Sequence, residues 1–138
     1  MQKTVYYQSQ KPYTTLNGVT DRTEYCWMVF HGLGFLSRYF LKPFAGFDPD
    51  QHFFVSPQAP SKYYLDKNYK YVGACWLTRE DLAFEKENVL NYLDAVYEAE
   101  KTNLNAGRKL VLFGFSQGVS VVTRWMARRQ LSCSKLIL

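Results

Sequence analysis

Residues 109–130 read KLVLFGFSQGVSVVTRWMARRQ, and this stretch decides the fold. Lys109–Phe115 is an apolar run of the kind found in strands buried on both faces of a parallel sheet. Gln117–Gln130 reads as an amphipathic helix. Between them, Gly114-Phe115-Ser116-Gln117-Gly118 fits the pattern G-x-S-x-G, with the serine at the strand-to-helix junction. A nucleophile aimed out of a sheet needs a sharp turn with a strained backbone. Gly114 and Gly118 let neighbouring backbone approach there without a Cβ clash. The helix N-terminus beyond Ser116 supplies free N–H groups and a positive dipole end to an oxyanion. The plainer alternative is a Gly/Ser-rich turn with no chemistry.

Working outward, Thr23–Phe30 (TEYCWMVF) reads as a second buried strand that runs directly into the loop His31-Gly32-Leu33-Gly34. Phe35–Leu41 is a short helix stopped by Pro43, Gly46–Asp50 a turn, and His52–Ser56 a short buried strand ending at Pro57. Lys3–Ser9 alternates polar and apolar residues and, with Tyr13–Val19, reads as a β-hairpin turning at Lys11-Pro12. Residues 57–73 read as an irregular surface excursion whose Tyr63, Tyr64 and Tyr71, with Trp76, are available to wall a pocket. Thr78 is the expected N-cap of a long helix with Glu80 and Asp81 in its first turn. Leu82, Val89, Leu90, Leu93, Val96 and Tyr97 keep helical spacing, and Gly107 marks the end. Lys135–Leu138 opens a last strand. The expectation is one α/β domain over residues 1–138, with a mainly parallel sheet, flanking helices and an N-terminal antiparallel hairpin. A strand at Lys135 without its following helix implies the N-terminal portion of a longer domain, incomplete at its C-terminal edge, where Leu136, Ile137 and Leu138 would lie bare.

Composition narrows the function classes. The 138 residues are 47% hydrophobic and 21% charged, which excludes a disordered tail, a collagen-like rod and a disulfide-stapled miniprotein. No run approaches the roughly 18 apolar residues of a membrane span, and MQKTVYYQSQ at the start has no signal-like apolar core. Cys26, Cys75 and Cys133 show no CxxC spacing and fit packing roles in a reducing cytoplasm. Two histidines and three cysteines far apart give no metal-ligand cluster, and no phosphate-binding glycine loop is present, so no metal or cofactor is expected. The net charge of +5 is scattered. Its one dense group, Arg124, Arg128 and Arg129, reads as the solvated stripe of a helix and not as a nucleic-acid surface.

The loop at 31–34 supplies a second element of chemistry. Two glycines after a buried strand let backbone N–H groups turn inward, so the N–H of Leu33 and that of Gln117 are the expected oxyanion donors. His31 reads as a hydrogen-bonding brace for that loop, with Gly32 and Gly34 giving it its bend.

HGLG at 31–34, VSPQAP at 55–60, GACW at 73–76 and GFSQG at 114–118 occur in the order and spacing of the α/β-hydrolase superfamily. Across residues 23–138 the chain resembles its phospholipase/carboxylesterase branch, which includes acyl-protein thioesterase-like enzymes. The resemblance implies hydrolysis of a small-molecule carboxylic ester or thioester through an acyl-serine, with Ser116 as nucleophile and the Leu33 and Gln117 amides as oxyanion hole. It also places Trp76 near an acyl pocket, against the alternative of a core tryptophan. The chain departs from the branch at Phe35, where an Asp is frequent, and at Val119, where a Gly is frequent. The larger departure is that residues 117–138 contain no Asp, Glu or His to complete a triad, while His52 lies in a strand facing the core or a loop. Without that base the rival expectation is a non-catalytic, hydrolase-like binding or scaffold protein.

Overall fold

Tyr25–Phe30 is apolar at every position, and it becomes the centre of the sheet because only there can both of its faces be covered. The computed structural model describes all of residues 1–138. In chain order its elements are β1 (Tyr13–Leu16), β2 (Tyr25–Phe30), α1 (Ser37–Phe40) and a 3-10 turn (Lys42–Gly46). They continue with β3 (His52–Pro57), β4 (Ser61–Tyr64), β5 (Val72–Cys75), α2 (Leu82–Asn105), β6 (Lys109–Gly114), α3 (Gln117–Arg129) and β7 (Lys135–Ile137). The five-stranded sheet has the order β1-β3-β2-β6-β7. All its neighbours are parallel except β1, which runs antiparallel to β3.

Alternation along the strands divides the core in two. Cys26, Met28 and Phe30, with Phe53, Val55, Leu110 and Leu112, pack under α2 and α3. Trp27, Val29, Phe54 and Val111 face the other way, under Phe40 and Leu41 of the α1 region and Phe44 of the 3-10 turn. Three layers result, thick on the α2/α3 side and thin on the α1 side. In β2 and β6 the register pairs Tyr25 with Lys109 and Phe30 with Gly114, so loops 31–34 and 115–116 leave adjacent strands at the same end of the sheet. Ligand sites of parallel sheets form at that carboxyl end.

Four expectations are corrected. Lys3–Ser9 forms no strand: residues 1–12 make no backbone-to-backbone hydrogen bond, and β1 pairs with β3 instead. The alternation there has no partner, since Lys11-Pro12 lacks the turn chemistry that closes a hairpin. The excursion at 57–73 is not wholly irregular, because Ser61–Tyr64 pairs antiparallel with Val72–Cys75. Thr78 does not cap α2; its hydroxyl accepts the Glu80 N–H in a local turn, and the helix starts after Asp81. Nor is the arginine stripe merely solvated, since Arg128 and Arg129 reach across to Glu87 and Asp94 of α2.

Candidate active site

The strand-to-helix turn that follows β6 holds Ser116 at φ 55° and ψ −119°, a backbone conformation that side-chain-bearing residues seldom adopt. Packing enforces it. A Cβ on Gly114 would lie 2.8 Å from Val122 Cγ1 and 2.9 Å from the Gly118 carbonyl oxygen, and one on Gly118 would overlap the Phe30 carbonyl. The helix is thereby pressed against the ends of β2 and β6, and the serine between them must take the tight turn. Its side chain makes no capping bond to α3, and the residue is exposed. Gln117 is the first residue of α3, so its N–H belongs to the group without an acceptor inside the helix.

The loop after β2 lies directly against this turn. A Cβ on Gly32 would be 3.1 Å from Ser116 Cβ and 3.2 Å from the Phe115 carbonyl oxygen, so any larger residue would crowd the serine. Leu33 follows, with its N–H free of any backbone acceptor and its side chain 54% exposed. Gly34 turns the chain at φ 86°, and its N–H donates to the Ala74 carbonyl at 2.9 Å. Leu33, Phe35 and Phe115 form an exposed apolar rim beside the hydroxyl, the two phenylalanine rings meeting edge to face at 5.8 Å.

His31 is wholly buried beneath the loop. The Ala59 N–H donates to Nε2 at 3.0 Å, which fixes the proton on Nδ1, and Nδ1 donates to the Gly32 carbonyl at 2.8 Å. Burial pushes the imidazole below its ordinary pKa, with the bond to Gly32 opposing in part. Both ring nitrogens are thus occupied, and the residue braces HGLG against the 55–60 segment. His52 is level with Tyr25 and Lys109 at the opposite end of the strands. At about 3.3 Å per residue that places it on the order of 20 Å from Ser116. Its Nδ1 accepts the Trp27 indole N–H at 3.0 Å. Neither histidine of the chain therefore reaches the serine.

Trp76, expected either in a pocket wall or in the core, lies in the core at 1% exposure. Its ring rests 5.1 Å from that of His31, and its indole N–H donates to the His31 carbonyl at 2.8 Å. Tyr63, Tyr64 and Tyr71 remain exposed. The side chain of Gln117 had no assigned part in the reading of the sequence, yet it makes three bonds to residues 75–77. No local signal announces such pairs, because the partners are some forty positions apart in the chain. No group of His, Cys, Asp and Glu side chains comes together to hold a metal ion.

A groove of about 920 Å³ lies elsewhere, between the N-terminal arm and α2, and is lined by Tyr7, Phe84, Asn88 and Tyr92 among others. Asp81 at its edge holds φ 52°, and burial pushes the Tyr92 phenol up to about 12, but no glycine-packed turn lines the groove. The strained, glycine-packed turn at Ser116 is the better candidate despite its open shape.

Among known proteins, no family model and no curated sequence matches the chain. A solved structure does: the acyl-protein thioesterase 2 of Zea mays superimposes with a TM-score of 0.54 at 18% identity, over 81% of this chain and 49% of that one. The likeness is one of fold. The two share a mixed α/β architecture with a mostly parallel sheet, and this chain spans about half the length of that neighbour. No helix is long and apolar enough to cross a membrane.

Proposed function

We propose that residues 1–138 carry the nucleophile and oxyanion-binding half of a serine hydrolase acting on small carboxylic esters or thioesters. The observation that carries this reading is the backbone of Ser116, held in a strained conformation that sets an exposed hydroxyl between α3 and the HGLG loop. In the proposed reaction Ser116 Oγ adds to the carbonyl carbon and the N–H groups of Leu33 and Gln117 receive the oxyanion. The alcohol or thiol then leaves, and water releases the acyl group. Leu33, Phe35 and Phe115 offer an apolar surface for part of the substrate. The neighbour's name, an acyl-protein thioesterase, agrees with thioester chemistry. The aspartate and histidine of the triad would come from outside residues 1–138, the working place would be the cytoplasm, and no cofactor takes part.

The rival is a binding or scaffold protein, favoured by the absence of Asp, Glu and His from residues 117–138 and by the occupied ring of His31. Labelling the full-length protein with a fluorophosphonate, beside Ser116→Ala, separates the two. Hydrolase chemistry gives an adduct on Ser116 that the variant lacks. An unlabelled wild-type protein overturns the nucleophile and leaves the scaffold.

A further inference from the structure

The two amides assigned to the oxyanion come from loops that share no strand, and something must hold them in register. We infer that residues 74–77, the end of β5 and the two residues after it, act as a crossbar that positions both donors, and that the side chain of Gln117 is its positioning residue on the nucleophile side. The inference rests on the reading of Ser116 as a nucleophile.

On the HGLG side the crossbar is tied by backbone and indole. The Gly34 N–H donates to the Ala74 carbonyl at 2.9 Å, and the Ala74 N–H donates to the Phe35 carbonyl at 3.1 Å. Trp76 donates its indole N–H to the His31 carbonyl at 2.8 Å, just before Gly32. The backbones meet so closely that a Cβ on Gly73 would lie 2.5 Å from the Gly34 carbonyl oxygen. On the elbow side Gln117 alone makes the tie. Its Oε1 accepts the Trp76 N–H at 2.9 Å, and its Nε2 donates to the Leu77 carbonyl at 3.0 Å and to Cys75 Sγ at 3.3 Å. A planar amide held at both ends leaves its own Cα little rotation, so the preceding peptide, which bears the Gln117 N–H, is held with it.

Ala74 and Cys75 belong to the small β4–β5 sheet and not to the main one, so the tie between the donors does not run through the strands that carry them. Hydrogen bonds in an oxyanion hole act through placement, and an error near 1 Å costs on the order of a hundredfold. Gln117→Met keeps the side chain's length and its main-chain N–H but makes none of the three bonds. Loosening of the donors, short of their loss, predicts about a tenfold slower reaction at Ser116.

Fluorophosphonate inactivation of the full-length protein supplies the test, because it resolves saturation (KI) from the bond-forming step (kinact). In that step the Ser116 Oγ–P bond forms as the P–F bond breaks; fluoride leaves and the hydroxyl proton passes to the base or buffer. Gln117→Met is expected to lower kinact about tenfold with KI unchanged, and Trp76→Phe, which removes the indole N–H together with part of the buried ring, to lower it several-fold. A folded variant of either kind that reacts at the wild-type kinact overturns the positioning role alone. A wild-type protein that never reacts overturns the nucleophile reading and the crossbar's role with it. If Gln117→Met does not fold, Trp76→Phe decides.

Discussion

Ser116 carries a backbone conformation that glycine adopts freely and that serine or alanine, each with a Cβ, adopts only under strain. Strain of this kind costs about 1–3 kcal/mol, and the packing of Gly114 and Gly118 against β2 and α3 sustains it. Two substitutions that both remove the hydroxyl should therefore diverge. Ser116→Gly is expected to be more stable than Ser116→Ala by about 1 kcal/mol, after glycine's greater loss of unfolded-chain freedom is subtracted. Urea unfolding of the pair measures the difference, and equal midpoints would mean the turn is relaxed. His31 makes a second prediction through its burial. Its folded pKa is depressed, so the unfolded chain binds the proton more readily. The stability contribution is complete above the unfolded pKa near 6.5 and is lost as pH falls from there through the lower folded value. Urea midpoints should drop between pH 7.5 and 5.5. His31→Gln, which can donate and accept at similar positions without titrating, should flatten that drop.

At the scale of elements, Glu87 and Asp94 of α2 both tie α3, and Asp94 makes the more buried tie. Asp94 accepts the Trp125 indole N–H and the Arg129 Nε–H, each at 2.9 Å, and Trp125 is buried to 1%. Asp94→Ala leaves a buried donor unpaired and is expected to cost about 1–3 kcal/mol, read by thermal unfolding. Asp94→Asn, which keeps an acceptor for the indole, should cost less. The elements also differ in how plainly they could be read. β2, β3 and β6 were legible because a strand covered on both faces is apolar throughout. The turn at Ser116 was legible because its glycines must stand at fixed offsets. The β4–β5 hairpin was not, since Ser61–Tyr64 is exposed along its whole length and carries no alternation. The arm misled for the opposite reason: KTVYYQS alternates, but no edge takes it up. The Gln117 clasp and the Trp76–His31 bond join residues 41 and 45 positions apart, and only the packed sheet brings them together.

The molecule as a whole is lopsided about its sheet. Nineteen buried residues form the core under α2 and α3, against seven under α1 and the 3-10 turn. Ser116 stands at the carboxyl end, between the thick layer's α3 and the loop that leads into the thin layer's α1. Each layer has its own buried indole: Trp76 and Trp125 on the thick side, Trp27 on the thin. Ultraviolet emission from the native chain consequently mixes signals from both halves of the interior. With phenylalanine at 76 and 125, the indole emission would come from Trp27 alone, and loosening of the thin layer would become visible as a red shift separate from collapse of the whole.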